Sequence, residues 1–262
     1  MSYAVVQGCS KGLGHSFARL LLARTDMHII CLTHARTSEV QQSLLSSNDG
    51  KNERLTVLEA DVTREEQLRE AAERVEQEFG KKMGLLANFA GVLHPEKNIA
   101  SLDLTEVRRT FEINTFGHAL MFKHFLPLVP RASAKEREGG QGVGEGGRSV
   151  IVSLTAKVGS IEDNRKGGWY SYRASKAATN QLVRTLAHEV EMRNLWATAI
   201  AYHPGTVKTG LAGDYAFGKS PKADDGVHEA DEAAELMYKV VTDLKASENG
   251  VFLNWKHEKL PW

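Results

Sequence analysis

The chain has 262 residues, with 33 Lys+Arg balanced by 33 Asp+Glu, so its formal net charge is zero. It is 42% hydrophobic and 25% charged, the composition of an ordinary globular protein. That balance argues against a broad basic nucleic-acid surface, and no apolar run is long enough to span a bilayer.

Met1-Ser2-Tyr3-Ala4-Val5-Val6 leads straight into a strand pattern, without the layout of a secretory signal, so a cytoplasmic protein is expected. Tyr3–Gln7 reads as a first strand and 13–24 as a helix, with Phe17, Leu20 and Leu21 at helical spacing. His28–Thr33 is an almost wholly apolar strand, the mark of a parallel strand covered on both faces. A weak helix at 38–46 and a turn at Asn48-Asp49-Gly50 precede a third strand at 54–60. A charged amphipathic helix at 64–79, a strand at 84–88 and one long helix at 104–128 follow. The glycine-rich stretch 131–148 reads as a flexible surface insertion. Ser149–Leu154 is a fifth strand, 170–193 a long helix, 196–201 a sixth strand, 231–244 a helix and 250–254 a last strand. The alternation predicts a single α/β domain over 1–262, a doubly wound parallel sheet (Rossmann fold) of about seven strands with helices on both faces. The two cysteines, Cys9 and Cys31, have no metal-ligand spacing; no metal site and a reducing compartment are expected.

Between the first strand and helix lies Gly8-Cys9-Ser10-Lys11-Gly12-Leu13-Gly14. Glycines there let backbone N–H groups approach a phosphate, and the helix N-terminus adds partial positive charge. An NAD-binding chain would carry an acid at the end of the second strand. Here Thr33-His34-Ala35-Arg36 has none, while Lys11, His34 and Arg36 could pair with a 2′-phosphate. NADP(H) is therefore expected over NAD(H).

Tyr172 and Lys176 stand four residues apart, on one face of a helix. A phenol of ordinary pKa, about 10, is a poor proton shuttle at neutral pH. An adjacent ammonium should lower that value and suit the phenol to acid–base work on a carbonyl or alcohol. Tyr170 has no lysine four residues on, so Tyr172 is the candidate.

The ordered set Gly8-x-x-x-Gly12-x-Gly14, Asp61-Val62, Asn88-Phe89-Ala90-Gly91, Asn114, Tyr172-x-x-x-Lys176 and His203-Pro204-Gly205-Thr206-Val207-Lys208-Thr209 resembles the short-chain dehydrogenase/reductase family over nearly the whole chain. Within that family, 159–176 looks like the branch of C-factor and sniffer-type carbonyl reductases. The resemblance implies an NADP(H)-dependent oxidoreductase acting on a small carbonyl or alcohol. Asp61 and Val62 would contact the adenine, and Asn88, Ala90 and Gly91 would line the cofactor. Lys176 would bind the nicotinamide ribose, Asn114 would hold a water in a proton relay from Tyr172, and Pro204, Val207 and Thr209 would position the carboxamide. Relatives of this kind include monomers, homodimers and homotetramers. The segment 211–228 would form a substrate lid, with Tyr215 and Phe217 marking an aromatic-tolerant site.

Two positions depart from the pattern. Gln7 replaces a threonine that braces the glycine loop. Ala156 stands where the family has its catalytic serine, three residues before Gly159 and sixteen before Tyr172. Thr155 or Ser153 could substitute only if the strand end bulges. Ala156 thus keeps a competing reading open: a catalytically weak or inactive NADP(H)-binding sensor or interaction protein.

Overall fold

The computed structural model describes residues 1–46, 52–133, 142–211 and 226–262. Seven parallel strands form one sheet in the order β3-β2-β1-β4-β5-β6-β9. They are β1 (Tyr3–Gln7), β2 (His28–Thr33), β3 (Leu55–Glu59), β4 (Met83–Asn88), β5 (Ser149–Leu154), β6 (Ala197–His203) and β9 (Val251–Asn254). Two short strands, β7 (Thr206–Val207) and β8 (Val227–His228), pair separately in parallel.

The helices cover both faces. Along β1, Tyr3 and Val5 enter one core with Leu68 and Val75 of α3 (Glu65–Phe79) and Val183 and Leu186 of α6 (Tyr170–Met192). Ala4 and Val6 enter the other, with Phe17 and Leu21 of α1 (Gly12–Arg24), Val40 of α2 (Thr37–Leu45) and Met237 of α7 (Ala230–Thr242). Period-two alternation with both faces apolar is the pattern of a sheet sandwiched between helix layers. The chain builds outward through β2 and β3, then crosses back to place β4 on the other side of β1. That reversal opens a crevice outside the carboxyl ends of the strands.

The expected single helix over 104–128 is instead three pieces: α4 (Leu104–Phe111), a π turn (Glu112–Phe116) and α5 (Gly117–Phe125). A short 3-10 turn, Leu126–Leu128, holds Pro127 and ends the run. The π turn is held by α6: Thr179 Oγ1 donates to Asn114 O at 2.6 Å and Thr115 Oγ1 to Ser175 O at 3.0 Å. Such a widened turn frees backbone groups for side-chain partners, here those of the neighbouring helix.

The flanks of 131–148 are tied down. Ala132 N–H donates to Asn194 O at 2.9 Å, and the Arg148 guanidinium lies 4.0 Å over the Trp196 ring. The middle of that segment, the turn at Asn48-Asp49-Gly50, and Tyr215 and Phe217 of the expected lid lie outside the described residues.

Candidate active site

A cleft of about 1470 Å³ occupies the crevice. Its walls bring together Gly8, Ser10, Lys11, Gly12, Leu13, Gly14, His34, Asp61, Val62, Ala90, Gly91, Tyr172, Lys176, Pro204, Val207 and Thr209. Three expected site residues, Arg36, Asn88 and Asn114, are not on those walls.

The glycine loop is built for close backbone approach. Gly8 has φ +83°, and a Cβ on Gly14 would stand 2.3 Å from Gly8 O, so neither position admits a side chain without the loop opening. Gln7 does what a threonine would do at this position: its Oε1 accepts from Ala90 N–H at 2.9 Å, tying the loop to the end of β4. The N-cap of α1, Lys11, makes no side-chain capping bond, and the first turn holds no acid. Its orphan N–H groups and dipole therefore face the cleft available to an anion, so the residues present fit a dinucleotide pyrophosphate.

Lys11 and His34 line the same end of the cleft, where β2 finishes without a carboxylate. Asp61 also lines it, its Oδ1 accepting from Thr63 N–H at 2.9 Å and Thr63 Oγ1 at 2.8 Å. Arg36 sits at the N-cap of α2 with φ +60°, its exposed guanidinium 3.9 Å from Glu39.

At the other end, α6 presents Tyr172 and Lys176, which are only 8% and 3% exposed. Lys176 Nζ donates to Leu154 O at 2.9 Å and lies 5.8 Å from the Tyr172 ring centroid. Gly91 faces them: a Cβ there would stand 3.5 Å from both Lys176 Nζ and Asn114 Oδ1, and its absence leaves room beside the ammonium. The expectation of an acidified phenol is corrected here. Burial pushes Tyr172 up to about 12 and Lys176 down to about 7. Removing both groups from water disfavours phenolate and ammonium alike, and at this separation neither offsets the other's loss of hydration.

This sets a testable linkage. The unfolded chain restores Lys176 to 10.5, so between about 7 and 10.5 it binds a proton that the folded chain does not. Stability associated with Lys176 is therefore present above that window and lost as pH falls through it toward 7. In paired thermal melts, the Tm difference between Lys176→Met and wild type should move in favour of wild type by several degrees as pH rises across the window. A pH-independent difference would contradict the buried, deprotonating lysine.

Behind the wall, Asn114 Oδ1 accepts from Val92 N–H at 2.8 Å, and its Nδ2 donates to Val92 O at 2.9 Å and Ser175 Oγ at 3.1 Å. Asn88 is buried, with Nδ2 donating to Ser153 Oγ at 3.2 Å. Ala156 does line the cleft, where its methyl is 8% exposed. Neither neighbouring hydroxyl replaces a serine: Thr155 Oγ1 donates to Lys176 O at 3.3 Å, and Ser153 is fully buried and absent from the cleft walls.

Several residues on or behind the cleft wall carry no signal in sequence. Trp169 takes φ +51° at the N-cap of α6 and meets the Tyr172 ring edge-on at 6.2 Å. His118 packs behind Ala90, its Nε2 3.0 Å from Ala90 O, and burial lowers it to about 3. Trp255 reaches the cleft from beyond β9.

A parallel doubly wound sheet, a bare glycine loop at its switch point and a buried Tyr–Lys pair on one cleft define the class: a Rossmann-fold dinucleotide-binding protein. The family profile described as short chain dehydrogenase matches residues 2–217, and the chain belongs to that oxidoreductase family. It is 29% identical over 263 residues to 1-hydroxy-2-glutathionyl-2-methyl-3-butene dehydrogenase of Rhodococcus sp. strain AD45, covering 100% of both chains. It is 27% identical over 178 residues to C-signal of Myxococcus xanthus, covering 68% of this chain and 92% of that protein. The NADPH-bound carbonyl reductase from chicken fatty liver has a TM-score of 0.82 and 26% identity to it, covering 99% of this chain and 98% of that one. C-signal and the chicken enzyme meet the expected likeness to the C-factor and carbonyl reductase branch. Among the described residues no helix is long and apolar enough to cross a membrane.

Proposed function

We propose that the protein is an NADP(H)-dependent reductase of small carbonyl compounds, with Tyr172 as the proton donor. The observation that carries this reading is the meeting of Tyr172 and Lys176 with the glycine loop on the walls of one cleft. Lys11 and His34, with no acid at the end of β2, favour a 2′-phosphate. The NADPH-bound state of the chicken carbonyl reductase supports the same choice.

When bound, a nicotinamide supplies the hydride. The chain's own residues supply the proton and the geometry. Tyr172 keeps its phenolic proton at neutral pH, since burial holds its pKa at about 12. The phenol is therefore in the protonated form that carbonyl reduction requires of its acid, and a cationic partner brought into the cleft would lower its pKa toward the working range. Lys176, anchored on Leu154 O, would bind the nicotinamide ribose and, with its pKa lowered to about 7, can give up or take a proton there. Asn114 is assigned a bracing role, fixing Val92 against α6 so that the wall around Gly91 stays in place. Trp169 limits the swing of the Tyr172 ring.

Ala156 favours a second reading, binding without appreciable turnover, because no neighbouring hydroxyl faces the substrate from its position. Titration of NADPH fluorescence, followed by NADPH oxidation against aldehydes, ketones and quinones, separates the two. Saturable NADPH binding with carbonyl-dependent oxidation is expected. Binding with no oxidation on any carbonyl, unchanged in Ala156→Ser, would establish the sensor instead.

A further inference from the structure

The chain does not leave the sheet at β9. Residues 255–262 turn back along that strand: Leu253 bridges Lys259 in antiparallel fashion, and Leu260 N–H donates to Phe252 O at 2.8 Å. Asn254 pins the turn, its Oδ1 accepting from Lys256 N–H and Glu258 N–H, both at 2.9 Å. One end of this hairpin lines the cleft, and the other is bonded to the segment that follows Lys157–Gly159.

Trp255, at the turn, lines the cleft itself. Its ring stands edge-on to His203 at 5.4 Å and to His228 at 5.6 Å. It fills the space over Gly226, where a Cβ would come within 2.2 Å of indole Cζ2. Trp262, at the other end, stacks on Phe252 at 5.6 Å. Its backbone oxygen accepts three bonds, from Ser160 Oγ at 3.1 Å, Ile161 N–H at 3.1 Å and Glu162 N–H at 3.2 Å. Those donors follow directly on the turn Lys157–Gly159, whose N-cap is Ala156. The hairpin thus joins the cleft wall at His203 to the segment that begins at Ala156.

We propose that this hairpin is the specificity wall of the carbonyl pocket: Trp255 determines which substrate side chains fit, and Trp262 positions the Ala156 segment opposite it. The inference rests on the reductase reading for the identity of the substrate, not for the existence of the wall. A large, rigid indole on the wall offers an aromatic surface to a ring-bearing carbonyl and little to a short aliphatic one. A hairpin that merely covered the edge of β9 would affect every ligand equally.

The test uses the full chain, with 2-naphthaldehyde and propanal as probes. Each is followed by calorimetric binding and by NADPH oxidation in wild type, Trp255→Phe, Trp255→Ala and Trp262→Ala, with Tm as a check on folding. Trp255→Ala should weaken 2-naphthaldehyde relative to propanal by roughly tenfold, leaving NADPH affinity unchanged, with Trp255→Phe intermediate. Trp262→Ala should lower kcat for both aldehydes by one common factor, and Trp262→Phe, which keeps the stack on Phe252, should restore it. Equal weakening of both aldehydes in Trp255→Ala overturns the proposal, as does wild type that binds NADPH but not 2-naphthaldehyde. If wild type binds 2-naphthaldehyde without turning it over, the reductase reading fails, while the calorimetric ratio still decides on the wall.

Discussion

Tyr172→Phe is expected to lower kcat for carbonyl reduction by about 10²–10⁴-fold, the usual loss when a positioned proton donor is removed, with NADPH affinity essentially unchanged. The change deletes one oxygen from a ring that is 8% exposed and otherwise held by packing, with Trp169 edge-on at 6.2 Å. The phenylalanine should keep that packing, so Tm should stay close to wild type. Among the described hydrogen bonds none involves the Tyr172 hydroxyl, so removing it orphans no buried partner. A variant that retains most of its carbonyl-dependent NADPH oxidation would show that the proton comes from elsewhere. Loss of NADPH binding would show instead that the ring shapes the cofactor site.

Ala156→Ser is expected to raise kcat/KM by about 10²–10³-fold, the worth of one hydrogen-bond donor aimed at developing charge on oxygen. Ala156 lines the cleft, so a serine there would carry its hydroxyl on the cleft wall. Thr155 and Ser153 do not already supply the bond: Thr155 Oγ1 gives its proton to Lys176 O, and Ser153 is fully buried and absent from the cleft walls. Both face away from Ala156, as alternation along an extended segment requires. The gain should vanish in the Tyr172→Phe/Ala156→Ser double variant, since a hydrogen-bond donor to the substrate oxygen cannot replace the proton itself. A single variant no faster than wild type would mean that a group outside 153–156 already fills this role.

The sheet was legible because strands buried on both faces have little choice but apolar runs, and His28–Thr33 shows it in six residues. The glycine loop was legible because positive φ and close backbone approach exclude side chains at Gly8 and Gly14. The Tyr–Lys spacing was legible for the same local reason, one turn of helix. Partners distant along the chain were not. Gln7 read as a tolerated departure with no stated replacement for the brace, until its amide met Ala90, 83 residues on. Trp255 and Trp262 carried no reading, because nothing local beyond 254 says that the chain doubles back. The proton affinity of Tyr172 was misjudged because spacing reports a neighbour's charge but not the loss of water around both groups.

The π turn carries a consequence for how this part of the chain tolerates length changes. A residue wedged into a helix rotates everything after it by about 100° relative to an uninterrupted spiral. Met121, Phe122 and Phe125 are buried in the phase that follows the turn, and Phe116, 56% exposed, lies on the other side of the helix. Deleting one residue from 112–116 would therefore do more than tidy an irregularity. It would rotate the oily side of α5 away from the sheet, so the turn that holds Asn114 and the burial of the helix after it are one constraint.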